Sequence, residues 1–162
     1  MVSRKINEIV RDFFKKGLID ESFVMEAVSK TFGGLCEKSK DKEDIEDHID
    51  FWWDSPKKGK RTDTNYDNSI HWLELKNVHG KPGWLYGKAE YIAFRTKSRI
   101  IFVKREKLLS FAKNCIFGKE VVYDTPNDFY VPYKRKKWGR DDLSIKVPTS
   151  DLVSLADFCI EC

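Results

Sequence analysis

Residues 48–54 read HIDFWWD, and residues 70–78 read IHWLELKNV. Both segments alternate, apolar against polar, with the period of two that marks a half-buried strand. In the first, Ile49, Phe51 and Trp53 fall on one face and Asp50, Trp52 and Asp54 on the other. In the second, Leu73 and Leu75 oppose Trp72, Glu74 and Lys76. Pro56 and the KKGK tip predict a hairpin after the first segment, with a polar return over residues 61–69. Acids on the outer face of two such strands predict a polar constellation set over an apolar core.

Upstream the period is helical. Ile6, Ile9, Val10, Phe13 and Phe14 predict an amphipathic helix over residues 4–16, stopped by Gly17. Asp20 or Ser22 can cap a second helix, with Phe23, Val24, Ala27, Val28 and Thr31 as its stripe and Gly33-Gly34 at its end. Residues 37–47 are a charged run, read as a solvated loop or short exposed helix. Downstream, the Gly/Pro-rich HGKPGWLYG leads to two β-rich runs at 89–95 and 99–104. Leu108, Leu109, Phe111 and Ala112 have helical spacing across 106–115. Strands follow near 120–123, 129–135 and 142–147. A closing helix starts at Thr149 or Ser150, with Leu152, Leu155, Ala156 and Phe158 inward. No repeat or linker interrupts the chain. This order predicts an α/β fold in one domain over residues 1–162, with a mixed, mostly antiparallel central sheet flanked by helices.

The chain has 162 residues, the size of one ordinary domain. A 41% hydrophobic and 14% aromatic content is enough for a core and excludes wholesale disorder. No apolar run approaches the roughly 18 residues that cross a bilayer. The first sixteen residues mix charge with hydrophobes and do not read as a secretory signal. The expectation is a soluble cytoplasmic protein without membrane contact. Net charge is only +4, but residues 51–140 carry a balance of +11 and the remainder −7. A basic middle between acidic ends suits a face for a polyanion. Two clusters dominate, Lys57, Lys58, Lys60 and Arg61, then Lys134, Arg135, Lys136, Lys137 and Arg140. Trp52, Trp53, Tyr133 and Trp138 stand beside them and can stack on bases. Lys88 and Tyr86 can touch a nearby phosphate, while Trp84 is read as packing. Of four cysteines, only Cys159 and Cys162 have C-x-x-C spacing, with no second pair for a zinc site. Free thiols in a reducing compartment are expected.

Glu74 and Lys76, at i and i+2, emerge on one strand face about 7 Å apart. Asp50 on an adjoining strand would complete a pocket of two anionic oxygen donors and one cation. Two carboxylates with the backbone carbonyl of Leu75 can hold Mg²⁺ or Mn²⁺ and leave water positions open. Such an ion polarises a phosphate and acidifies a bound water, and the lysine ammonium orients that water and offsets charge on the phosphate. Asp47 and Asp54 are rivals for the first acid; alternation puts Asp54 on the face of Asp50. His48 and His71 are read as structural rather than as spare bases.

The arrangement HIDFWWD … HWLELKN resembles the core of the PD-(D/E)XK nuclease superfamily, the fold of many restriction enzymes, phage nucleases and junction resolvases. The continuation GKPGWLYGKAEYIAFRTKSRIIFVKREKLLSF is similar to that of small phage- and virus-type members, and YKRKKWGRDDLSIKVPTSDL to their basic hairpin and ending. The likeness covers about residues 45–155 and is strongest over 47–113. Ile49 stands where the motif has proline, a residue often absent from the family at that position. The resemblance implies a restriction-endonuclease-like fold and a metal-dependent endodeoxyribonuclease. It implies Asp50 and Glu74 as metal-binding acids, Lys76 as the assisting lysine, and a helix glutamate, Glu26 with Glu21 in reserve. The alternative is a nucleic-acid-binding module that keeps the fold without the chemistry. Cleavage of both strands would call for a dimer, because one site cuts one strand at a time.

Overall fold

In a computed structural model the protein is described at residues 21–33, 36–53, 58–63, 70–135 and 139–162. The expected helix at 4–16, with Asp54, Lys57, Lys136, Lys137 and Trp138, lies outside the described residues. The same holds for the side chains of Lys58, Lys60 and Arg61.

The architecture is mixed α/β. Residues 21–32 form helix α1. Strand β1 (Cys36–Lys38), helix α2 (Asp41–Asp47), β2 (Phe51–Trp53) and β3 (Lys58–Asp63) follow. Next come β4 (Ile70–Lys76), a 3₁₀ turn at Trp84–Tyr86, β5 (Tyr91–Arg95), β6 (Arg99–Lys104) and α3 (Arg105–Ile116). The chain ends with β7 (Leu143–Pro148), α4 (Thr149–Leu155) and β8 (Phe158–Glu161). Six strands make one sheet in the order β1-β2-β3-β5-β6-β8, and β4 and β7 make a separate ribbon. Every neighbouring pair is antiparallel except β3 and β5, which run parallel.

The apolar alternation of β5 and β6 explains the layering. Ile92, Phe94, Ile101 and Val103 point to one face, where Leu108 of α3, Leu152 of α4 and the inner side of the β4–β7 ribbon cover them. Ala93, Ile100 and Phe102 point to the other, against Val24 and Val28 of α1 and Phe51 of β2. Arg95 to Arg99 turn tightly because Thr96 closes the loop. Its N–H and hydroxyl donate to the Arg99 carbonyl, and its oxygen accepts the Arg99 N–H.

Three expectations change. Strand β2 pairs antiparallel with β3, Trp52 opposite Gly59, so strand begins at Lys58 within the expected KKGK tip and the neighbour of β2 is not the ELK strand. The parallel pairing of β3 with β5 needs a crossover. Strand β4 lies within that connection, lifted off the large sheet, and pairs with β7 instead. The strands expected near 120–123 and 129–135 reduce to single bridges, Val122 with Tyr133 and Tyr133 with Ser144. Pro126 and Pro132 lack N–H groups, and Tyr130 has a φ of 66°, so no ladder can extend. Buried Lys146 instead holds this stretch by donating to the carbonyls of Pro126 and Asn127, each at 2.8 Å. Finally, α4 starts at Thr149 as expected, but Phe158 belongs to β8. It stacks on Phe102 at 4.5 Å, on the opposite side of the sheet from Leu152. Asp157 makes the break, accepting the Lys104 N–H and pairing with the Lys107 ammonium.

Candidate functional site

Strand β4 presents its residues as its alternation requires. His71, Leu73 and Leu75 are buried, Trp72 and Glu74 are half-buried, and Lys76 is exposed. His71 packs edge-on to Phe94 with ring centres 5.3 Å apart, so it serves the core. Glu74 is held by the chain that doubles back over it. The Trp84 N–H donates to Glu74 Oε1 at 3.3 Å, and the Gly83 N–H donates to the Leu75 carbonyl at 2.9 Å. Gly83 lies so close that a Cβ there would stand 2.6 Å from the Glu74 carbonyl oxygen and 2.9 Å from Oε1. The Leu75 carbonyl expected to face a metal therefore already accepts one bond, with its second lone pair remaining.

A register shift separates Glu74 from Lys76 in the pairing with β7. Such irregularities re-aim side chains. Lys76 lines a cleft of about 270 Å³ with Gly80, Tyr123, Lys134, Asp141 and Leu143. In that cleft Lys134 is ion-paired with Asp141. The contact raises the pKa of Lys134 and lowers that of Asp141, in each case mainly through the hydrogen bond between them.

Asp50 stands elsewhere, at the entry to β2 in the large sheet. Its carbonyl accepts the Ser39 N–H at 3.1 Å and the Ser39 hydroxyl at 2.9 Å, which fixes the junction with β1. Its carboxylate acts on Glu21 of α1. Burial, then Asp50, push the Glu21 carboxyl up to about 7, with Asp44 adding to the rise and Lys38 opposing it. Glu26, expected as the helix acid, is not the residue brought to Asp50. It lines a groove with Phe23, Lys30, Ile160 and Glu161. Five residues along a helix rotate a side chain by about 140°, so Glu21 and Glu26 cannot serve one place. The strand pattern alone cannot supply this choice; the helix phase relative to β2 decides it.

The acids thus form two groups, Glu21 with Asp50 beside the large sheet and Glu74 on the ribbon. The neighbouring-strand geometry expected for Asp50 and Glu74 is absent, because β2 and β4 belong to different sheets. Among the described residues, no group of three or more His, Cys, Asp or Glu side chains is placed to hold a metal ion. Glu21 resists ionisation first because it is partly buried and second because Asp50 is near it.

The remaining candidates have ordinary partners. Lys88 donates its N–H to the Asp47 carbonyl and pairs its ammonium with the Asp47 carboxylate at 3.0 Å, which engages that rival acid. Arg140 faces Asp142 at 3.4 Å. Arg135 is exposed. Cys36, Cys115, Cys159 and Cys162 are free thiols, and burial raises the pKa of the last three. No described helix is long and apolar enough to cross a membrane. Comparison with protein-family models, curated proteins and solved structures finds no match.

Proposed function

We propose that this chain is a metal-dependent endodeoxyribonuclease of PD-(D/E)XK type, acting on DNA phosphodiester bonds in the cytoplasm. The observation that supports the reading is the electrostatic interaction between two acids, Glu21 in α1 and Asp50 at the entry to β2, which adds to burial in holding the Glu21 carboxyl protonated. The resemblance implies Asp50 and Glu74 as the metal-binding acids, joined by a helix glutamate for which Glu21 stands in reserve to Glu26. In this reading Glu21 and Asp50 hold Mg²⁺ or Mn²⁺, which supplies a polarised phosphate and an acidified water. Lys76, exposed on β4, meets the scissile phosphate. The Lys76 ammonium offsets its charge. Lys57, Lys58, Lys60, Arg61, Lys88, Lys134, Arg135, Lys136, Lys137 and Arg140 grip flanking phosphates. Cutting both strands would take two copies of the chain.

The expected result is DNA cleavage in Mg²⁺ or Mn²⁺. Lys76→Ala abolishes cutting and preserves binding. Undiminished cleavage by the double variant Glu74→Ala, Lys76→Ala would remove the mechanism. A second reading, a DNA-binding module without chemistry, draws on the separation of β2 and β4 into different sheets. Its signature is DNA retained with a steep salt dependence and never cut in either metal.

A further inference from the structure

Between the end of α2 and the turn that covers Glu74 lies a cavity of about 540 Å³. It is lined by Glu46, His48, Asn77, His79, Lys81, Pro82, Gly83 and Tyr86. Its volume is in the range of pockets that enclose a small organic ligand, about 300–1,000 Å³. The walls are tied together. A Cβ on Gly87 would stand 2.7 Å from the Asp47 carbonyl oxygen and 2.9 Å from His48 Cβ, so the two segments are pressed into contact. The Lys88 N–H bonds the Asp47 carbonyl across the same seam. On the other wall the Asn77 side-chain carbonyl accepts the N–H groups of His79 and Lys81, at 3.0 and 3.1 Å, and sets the turn. His48 has a φ of 54°, a left-handed backbone uncommon outside glycine that tends to gather at functional sites.

The lining is chemically divided. Lys81, His79 and His48 offer N–H donors suited to a phosphate, and Tyr86, 45% exposed, offers an aromatic face. The Lys113 ammonium lies over one face of the Tyr86 ring, 5.4 Å from its centre, and adds positive charge there. Glu46 can accept hydrogen bonds from a base amino group or a sugar hydroxyl. Gly83 is shared. It lines the cavity and lies against the Glu74 carboxylate.

We infer that this cavity receives one unpaired nucleotide of the DNA strand, its phosphate at Lys81 and His79 and its base against Tyr86. The inference rests on the nuclease reading for the strand's purpose, and it specifies the substrate as single-stranded or frayed DNA. A fully paired base cannot leave its stack to reach Tyr86 without unpairing.

The test titrates thymidine 5′-monophosphate into the full chain by calorimetry, with inorganic phosphate in parallel. The nucleotide is expected to bind, with affinity at least tenfold lower in both Lys81→Glu and Tyr86→Ala. Both positions are exposed, and circular dichroism checks that each variant is folded. No binding, binding unaffected by both changes, or equal affinity for inorganic phosphate overturns the assignment. Cleavage assays on the same samples separate the two claims. Nucleotide binding without DNA cleavage keeps the cavity and ends the nuclease reading, whereas cleavage without nucleotide binding does the reverse.

Discussion

Glu21, in helix α1, carries a carboxyl group that resists ionisation because it is partly buried and lies near Asp50 at the entry to β2. Its folded pKa of about 7 lies above the ordinary 4.5, so the folded state holds a proton that the unfolded state has released between those values. Stability contributed by this group is therefore whole below pH 4.5 and declines as pH rises toward 7. Without added divalent ions, Glu21→Gln should leave stability nearly unchanged at pH 4. At pH 8 it should raise stability by about 1 kcal/mol, a figure already reduced for solvent screening of a half-exposed group. Urea midpoints at the two pH values provide the check, and an effect of equal size at both would place the carboxyl in bulk solvent. This acid was only partly legible in the sequence. Helical spacing marked a helix capped by Asp20 or Ser22 and ended by Gly33-Gly34, with Val24 and Val28 in its apolar stripe. It did not say which end of that helix meets Asp50, since that depends on how α1 crosses the sheet. Lys146 was likewise unreadable, being one basic residue among thirty until the carbonyls of Pro126 and Asn127 close around it.

Strand β4 shows what alternation can and cannot foretell. The two faces of IHWLELK are those the pattern predicts, because side-chain direction along a strand is a local property. The partner strand is a property of the whole topology, and here β7 takes the place that the sequence reading gave to the segment around Asp50. The same limit applies at residues 120–135, where aromatic and β-branched content suggests strands that the prolines do not permit. The turn over Glu74 yields a direct prediction. Gly83→Ala inserts a methyl group 2.6 Å from a backbone oxygen, where neither segment can yield cheaply. The expected cost is about 1–3 kcal/mol, by analogy with overpacked cores, read as a lower denaturant midpoint. In the nuclease reading, activity should fall further than stability does, because the Trp84 N–H that orients Glu74 moves with the turn. A midpoint equal to that of the wild type would mean that the turn is free to shift.

Across the whole molecule, charge was legible as an amount and less so as a surface. The basic middle of the chain is plain in the sequence, yet Lys134, Arg140 and Lys88 each face an acid, and Lys146 points inward. Arg135 is exposed, whereas the charge of Lys134 is already offset by Asp141. Arg135→Glu should therefore weaken DNA binding more than Lys134→Glu, on all sequences alike. The plot of log affinity against log salt should become shallower by about one unit. An unaltered slope would remove Arg135 from the phosphate contacts. The ribbon formed by β4 and β7 has a further consequence, since Glu74 is paired with Ser144, about 70 residues later. As the chain emerges from the ribosome from its N-terminus onward, Glu74 and Lys76 are exposed long before β7 exists to pair with them. Only a polypeptide that already includes β7 can assemble the proposed chemistry, so stalled or truncated products ending before β7 should be inert toward DNA.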